Sequence, residues 1–195
     1  MSKLLLIAAA AAVFVALPAR AAAQEARGTP TAVVVSGPEV GARAPDFRLP
    51  WATRDSIGSV DSDFVLREQR GRVVVVAFYP ADFTTGCTAE MKAFTDRYAE
   101  LFGGGEDVVV VGISADSLET HQRFAASLDL PFRLLSDPDL RIARMYGSKG
   151  ENRPRRTVYV IDAEGRVTYR DLRFGALDPR SYDALKRAVQ AARAG

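Results

Sequence analysis

Two kinds of hydrophobic pattern alternate along the chain from Arg72 onward. Continuous apolar runs over residues 73–79 and 108–113 are rich in valine, isoleucine and aromatic residues, which is typical of strands buried on both faces. Between these runs, over residues 86–102, apolar positions recur every three or four residues and predict a helix that ends at the glycines 103–105. The pattern therefore predicts a strand, a helix and a second strand in succession.

The same alternation continues to the end of the chain. The predicted elements are a helix over 117–128, a strand over 132–135, a short helix from Pro138 to 146, strands over 157–161 and 167–172, and a final helix that opens at Asp178-Pro179. The resulting order, β-α-β-α-β-α-β-β-α, predicts a three-layer α/β/α sandwich with a central mixed sheet. This order fits the thioredoxin-like fold.

The region before Arg72 has weaker patterns. Residues 44–50 alternate polar and apolar positions between two prolines and predict an edge strand, and residues 51–63 are interpreted as loop, with Trp51 in packing or in that loop. Residues 24–43 predict a flexible lead-in that includes a short strand over 31–35. We therefore expect the folded domain to span residues 44–195.

The first 23 residues have the pattern of a secretory signal peptide. Lys3 gives a positive start, residues 4–17 form an unbroken apolar run, and residues 19–23 supply the small side chains of a cleavage site. A membrane anchor is the alternative, but the apolar run is shorter than the roughly 20 residues that a span needs. A lipoprotein is disfavoured because no cysteine lies near the cut. We expect an exported protein, periplasmic or secreted, without stable membrane insertion after cleavage.

Composition narrows the function classes. The chain has 26 basic and 24 acidic residues, and cleavage would remove Lys3 and Arg20, so the mature form would carry 24 of each. This balance offers no basic surface for nucleic acid. One cysteine and one histidine cannot build a structural zinc site, which needs about four such ligands. We therefore expect neither a metal nor a cofactor.

Cys87 is the only cysteine of a chain expected to be exported, where cysteines are usually paired. An odd cysteine indicates either an intermolecular disulfide or a reactive free thiol. It follows Pro80 and stands at the predicted start of a helix, where the positive end of the helix dipole stabilises a thiolate. The alternative is a small buried hydrophobic residue.

The residues before Cys87 resemble the active-site signature of the peroxiredoxins, in which three residues separate a proline from a threonine and two more precede the cysteine. Pro80, Thr84 and Cys87 have this spacing. Four further segments resemble segments of the family and follow in the same order along the chain: 44–50, 111–117, 130–138 and 156–162. The resemblance is strongest to the bacterioferritin-comigratory or Q-type subgroup. The resemblance implies a thiol peroxidase that reduces hydrogen peroxide or organic hydroperoxides through a Cys87 sulfenic acid.

The resemblance also implies a role for each matched residue. Cys87 would be the nucleophile, and Thr84 would turn its hydroxyl toward the sulfur and the peroxide, unless it only caps the helix. Pro80 would exclude water from the site, unless it only terminates the strand. Arg156 would lower the thiol pKa and hold developing charge, and Glu90 would orient that arginine, unless Glu90 is a solvated helix acid.

Other polar residues are expected outside the site. We assign the arginine of the signature to Arg156 rather than to Arg155, and we expect Arg153 and Arg155 to be surface charges. His121 stands mid-helix, far in sequence from Cys87, and is predicted to lie on the surface rather than to act as a base.

The chain departs from the family at the second cysteine. Many Q-type members carry a resolving cysteine five residues after the first, and here that position is Lys92. This indicates a 1-Cys peroxiredoxin, reduced by an external thiol or a thioredoxin- or glutaredoxin-like partner; an intermolecular Cys87–Cys87 disulfide is the alternative.

We expect a monomer or weak homodimer. The region 51–70, longer than usual in the family, is expected to affect access to the site.

Two other function classes compete with a peroxidase. A thioredoxin-type oxidoreductase needs Cys-x-x-Cys, and Thr84 occupies the first of those positions. An exported redox-sensing or binding domain without peroxidase turnover could use the same fold, because a fold does not determine a function.

Overall fold

The computed structural model describes residues 36–59, 61–105 and 107–195. Its strands are β1 (Arg48–Leu49), β2 (Trp51–Ala52), β3 (Phe64–Val65), β4 (Val73–Phe78), β5 (Val108–Ser114), β6 (Arg133–Ser136), β7 (Thr157–Ile161) and β8 (Val167–Asp171). Its α-helices are α1 (Thr85–Asp96), α2 (Tyr98–Phe102), α3 (Leu118–Ser127), α4 (Arg141–Met145) and α5 (Pro179–Ala194), and 3-10 turns cover Leu66–Gln69 and Gly103–Gly105.

Six strands form one mixed sheet in the order β2-β6-β5-β4-β7-β8, with β4 at its centre. Strands β4, β5 and β6 are parallel, whereas β2, β7 and β8 each run antiparallel to their neighbours. Every residue of β4 is buried, as its continuous apolar run predicts. The strand alternates its side chains between two hydrophobic cores: Val75 and Ala77 face α1, α3 and α5, and Val74 and Val76 face α4 and the β1–β3 pair.

Helices therefore cover both faces of the sheet, and the predicted three-layer α/β sandwich with a mixed sheet is confirmed. The hairpin β7–β8 and helix α5, which Asp178 caps by accepting from the Arg180 N–H group, also lie where the sequence predicts them.

The structure corrects two predictions before β4. The edge strand expected over 44–50 is confined to Arg48–Leu49, and it pairs with Phe64–Val65 in a small separate sheet. The segment 51–63, interpreted as loop, contains β2, which is the edge strand of the main sheet beside β6. The Trp51 ring packs under the guanidinium of Arg133, 4.7 Å from its centroid.

The short helix predicted from Pro138 begins later, at Arg141. Asp137 supplies the cap, because its carboxylate accepts hydrogen bonds of 2.8–3.2 Å from three successive backbone N–H groups that start at Arg141. Pro138 lies in the turn between them, and Leu140, with φ of 53°, has a left-handed conformation that separates this turn from the helix.

Residues 36–43, which the sequence assigns to the flexible lead-in, lie along β8. The Gly41 N–H group donates to the Val167 carbonyl at 2.7 Å, and the Arg170 guanidinium donates to the carbonyls of Ser36 and Pro38 at 3.3 Å. The predicted signal peptide and the strand over 31–35 lie outside the described residues. Within the described ranges, no helix has the length and apolar character needed to cross a membrane.

Candidate active site

Cys87 lies in the first turn of α1, just beyond the carboxyl end of β4. Thr84 is the N-cap of this helix: its backbone is extended, and its carbonyl accepts from the Thr88 N–H group at 2.8 Å. The first N–H groups of a helix have no partner within it, and they concentrate partial positive charge around the side chain of Cys87. The residue is 1% exposed, so its sulfur is shielded from bulk water.

Arg156 reaches this sulfur from the neighbouring strand. It directly precedes β7, whose first residue, Thr157, pairs with Phe78 at the end of β4. The Arg156 Nη2 donates to the Cys87 Sγ at 3.3 Å. A Cβ at position 86 would lie 3.2 Å from this nitrogen, so Gly86 leaves the space that the guanidinium occupies. The pairing of β4 with β7 thus sets a fixed positive charge beside the thiol.

Glu90 stands one turn after Cys87, and its buried carboxylate accepts from Arg156 Nη1. Burial raises the pKa of Glu90 to about 7, although the charge and hydrogen bond of Arg156 oppose this shift. Burial lowers the pKa of Arg156, but the charge of Glu90 and the contact with Cys87 outweigh it, and the net pKa is raised. The second carboxylate oxygen, Oε1, is buried and has no hydrogen-bond partner.

Pro80 and Thr84 delimit the loop that leads from β4 to Cys87. The Thr84 hydroxyl donates to the Ala81 carbonyl at 2.9 Å, so its proton is used inside the loop and its oxygen keeps the capacity to accept. It makes no side-chain cap to α1. The structure therefore places Arg156 in contact with both Cys87 and Glu90, and it places Thr84 and Pro80 in the adjoining loop.

The prediction that His121 lies on the surface is wrong. Its ring is completely buried between α3 and the carboxyl ends of the strands. Nδ1 lies 2.8 Å from Asp82 Oδ2, and Nε2 lies 3.2 Å from the Leu135 carbonyl oxygen. A polar cluster around His121 and Asp82 thus adjoins the loop that contains Pro80 and Thr84.

Arg153 and Arg155 are exposed, as the sequence predicts.

Comparisons with known proteins agree with this geometry. The profile of the AhpC/TSA family matches residues 40–170. The chain is 38% identical over 138 residues to a putative peroxiredoxin bcp of Coxiella burnetii, which covers 67% of this chain and 85% of that protein. It is also 38% identical over 155 residues to a chloroplastic peroxiredoxin Q of Oryza sativa subsp. japonica, which covers 78% of this chain and 67% of that protein.

Solved structures show the same architecture. The reduced 2-Cys peroxiredoxin of Plasmodium vivax superimposes with a TM-score of 0.68 at 28% identity, over 80% of this chain and 96% of that one. The AhpC of Enterococcus faecalis gives the same TM-score of 0.68 at 21% identity, over 80% and 93% of the two chains, and shows the fold alone. The thioredoxin-like fold expected from the sequence is confirmed.

Proposed function

The chain belongs to the AhpC/TSA family and is a thiol-dependent peroxidase, and on this premise we propose that it is a 1-Cys enzyme whose oxidised cysteine is reduced by an external thiol. The observation that best supports peroxidase chemistry at Cys87 is the 3.3 Å contact between Arg156 Nη2 and Cys87 Sγ in the first turn of α1. The alternative of a redox-sensing or binding domain without turnover is not favoured by its peroxiredoxin relatives.

In the first step the Cys87 thiolate attacks one oxygen of the peroxide. The S–O bond forms as the O–O bond breaks, and the departing oxygen takes a proton and leaves as water or an alcohol, so Cys87 becomes a sulfenic acid. Arg156 stabilises the thiolate and then the negative charge on the departing oxygen. The free lone pairs of the Thr84 oxygen accept a hydrogen bond from the peroxide, and Pro80 keeps water away without adding an N–H group.

The second step needs a thiol from another molecule. Lys92, at the position where many Q-type members carry a resolving cysteine, is exposed on α1 and pairs with Asp96 at 3.0 Å. Cys87 is the only cysteine of the chain, so no internal disulfide can form. A first external thiol displaces water from the sulfenic acid to give a mixed disulfide, and a second thiol releases Cys87. A disulfide between two Cys87 residues would require both buried sulfurs to emerge.

Intact mass spectrometry after one equivalent of hydrogen peroxide tests the 1-Cys proposal. We expect a gain of one oxygen atom per chain, and then a mixed disulfide when a single thiol is added. A covalent dimer linked through Cys87 would overturn the proposal. Turnover with glutathione, thioredoxin and glutaredoxin, compared at equal thiol concentration, would identify the class of reductant.

Export and assembly are further parts of the proposal. The charged start, apolar run and small residues of positions 1–23 support export to the periplasm or medium. Expression of the full chain in a bacterium, followed by fractionation and N-terminal sequencing, should give a mature protein that starts near residue 24; an intact cytosolic chain would contradict export. A monomer or weak homodimer stays the prediction for assembly, and sedimentation velocity tests it.

A further inference from the structure

A closed polar network holds the loop in front of Cys87. Asp82 lies in the middle of this loop, between Pro80 and Thr84, and its side chain has no exposed surface. One carboxylate oxygen accepts from the Tyr79 hydroxyl at 2.7 Å, and the other faces His121 Nδ1 at 2.8 Å. Burial and the charge of Asp82 raise the pKa of Tyr79 well above its usual range, so this hydroxyl stays a donor.

The partners of His121 determine which ring nitrogens carry protons. The Leu135 carbonyl, 3.2 Å from Nε2, can only accept a hydrogen bond, so Nε2 carries a proton. The other ring nitrogen, Nδ1, faces Oδ2 of Asp82 at 2.8 Å, so one proton lies between these two atoms. Tyr79, Asp82 and His121 then form a fully buried network in which both carboxyl oxygens and both ring nitrogens have partners.

Helix α3, which contains His121, contacts the loop at a second point. Phe83, the residue after Asp82, has a φ of 56°, a left-handed conformation that is costly for an aromatic residue. Its ring packs against Phe124 of α3 at 5.0 Å between centroids, one turn after His121. The Asp82 N–H group also donates to Asp116 at 2.9 Å. Contacts from α3 and from the end of β5 therefore hold a strained loop in one conformation.

We propose that His121, through its hydrogen bond with Asp82, is a positioning residue for the peroxide reaction. It acts through Asp82 by fixing the loop that carries Pro80 and Thr84, and it takes no part in the chemistry at the Cys87 sulfur. The inference rests on the proposed function of that loop in binding peroxide. Because a displacement of about 1 Å from a productive geometry can lower a rate by roughly 100-fold, a looser loop should slow the peroxide reaction.

The protonation of one ring nitrogen can be observed directly in the wild-type protein. His121 is the only histidine in the chain, so a sample labelled with 15N-histidine gives ring signals from one residue. We expect Nε2 to resonate as a protonated N–H nitrogen, because its partner, the Leu135 carbonyl, can only accept a hydrogen bond. An unprotonated Nε2 would mean that this hydrogen bond is not made and would overturn the proposed network, whether or not any variant folds.

A kinetic comparison tests the positioning role. In His121→Gln we expect the rate of Cys87 oxidation by hydrogen peroxide to fall roughly 10- to 100-fold, while alkylation of Cys87 by iodoacetamide, which does not use the loop, changes less than about twofold. Asp82→Asn should act similarly, and the double variant should add little further loss. The matched control is Arg123→Ala, an exposed residue of the same helix.

The rates of Cys87 oxidation by hydrogen peroxide and of its alkylation by iodoacetamide together distinguish a positioning role from a general structural effect. An unchanged peroxide rate in a folded His121→Gln variant would overturn the inference while leaving the peroxidase function intact. Equal losses in both reactions would also overturn it, because they would point to a general structural effect. A wild-type protein that reacts with peroxide no faster than free cysteine would instead contradict the proposed function.

Discussion

Two buried side-chain pairs lie on either side of the loop that leads into α1, and they differ in how many of their polar atoms have hydrogen-bond partners. The Glu90–Arg156 pair leaves Oε1 of Glu90 without a partner, and the Arg156 side chain is 17% exposed and shared with the thiol. The Asp82–His121 pair has no exposed surface, and both carboxylate oxygens and both ring nitrogens have partners.

Because of this difference, the Glu90–Arg156 pair can respond to a bound ligand, whereas the Asp82–His121 pair stabilises the loop conformation. An arginine with an exposed edge and a carboxyl with a free oxygen can change partners or protonation when a peroxide enters or charge develops at the sulfur. A pair whose bonds are all made within the protein would lose hydrogen bonds in any rearrangement, and it therefore stabilises one loop conformation. The reactive site and the rigid loop contact thus depend on different side-chain pairs.

Removal of the histidine should give the largest change in stability. In His121→Ala, Oδ2 of Asp82 and the Leu135 carbonyl both stay buried without their partner, and each unsatisfied group of this kind costs about 1–3 kcal/mol. We expect this loss in the free energy of unfolding, measured by denaturant titration at pH 7.

The double variant Asp82→Asn/His121→Ala provides the control. It replaces the unpartnered carboxyl with an amide and should recover part of the loss seen in His121→Ala. A cost below 1 kcal/mol for His121→Ala would show that this pair does not hold the loop and would remove the contrast between the two sites.

Arg156→Ala should change activity more than stability. Loss of the guanidinium removes the charge that stabilises the thiolate and the departing oxygen, and the rate of peroxide reduction should fall by roughly 100-fold or more. The unfolding free energy should change less than in His121→Ala, because Glu90, with its pKa raised to about 7, can take up a proton when its partner is gone. Stopped-flow oxidation and denaturant titration measure the two effects.

The adjacent arginine is the matched control. Arg155 is exposed, and its guanidinium donates to the Gly147 carbonyl at 2.5 Å rather than to the sulfur. Arg155→Ala should leave the peroxide rate unchanged. If it slowed the reaction as much as Arg156→Ala, the assignment of the site arginine would be wrong.

The sequence predicted the reactive pair but missed the rigid one. Cys87 could be identified from a motif with fixed spacing, and Arg156 from the resemblance of the block 156–162 to the family. For Glu90 the sequence left open whether it orients Arg156 or is a solvated helix acid, and the structure shows it buried against Arg156. The sequence alone predicts a surface position for His121, because an isolated histidine between Thr120 and Gln122 matches no motif. Its partner Asp82 is 39 positions away, and only the packing of α3 on the end of the sheet brings the two together.

A signal for His121 was nevertheless present. It stands three residues after Leu118 and three before Phe124, so it shares the apolar face of the predicted helix. A polar residue on such a face needs a buried partner. Strand β2 had no comparable signal: two residues are too few for a hydrophobic period, and only the pairing with β6 defines Trp51–Ala52 as a strand.

Glu90→Gln should change the pH dependence of stability. Burial raises the pKa of Glu90 in the folded protein from 4.5 to about 7, so the folded state keeps the carboxyl proton up to a higher pH than the unfolded state does. The stabilisation that this proton gives the folded state is therefore fully present below pH 4.5 and is lost as the pH rises to about 7. Relative to Glu90→Gln, the wild-type protein should lose about 3 kcal/mol over this range.

An exposed carboxyl gives the control for this titration. Hydrogen bonds from Arg97 and Lys186 lower the pKa of Glu100 to about 2, so Glu100 stabilises the fold above its ordinary pKa and loses that effect as the pH falls. Relative to each Gln variant, denaturant titrations should therefore show the Glu90 contribution lost as the pH rises from 4.5 to 8, and the Glu100 contribution lost as the pH falls from 4.5 toward 2. Equal behaviour would mean that Glu90 is not titrating in a buried site.

The smallest effect is expected at an exposed ion pair on α1. Lys92 and Asp96 lie one turn apart on α1, 3.0 Å between charged atoms, with side chains 63% and 55% exposed. Exposed pairs of this spacing contribute about 0.3–0.5 kcal/mol, so Lys92→Ala should change the unfolding free energy by no more than that, and less in high salt. The peroxide rate should be unchanged, since Lys92 makes no contact with the sulfur. A large loss of stability here would mean that ion pairing, rather than burial, governs the three pairs, and the distinction between the reactive and the rigid pair would fail.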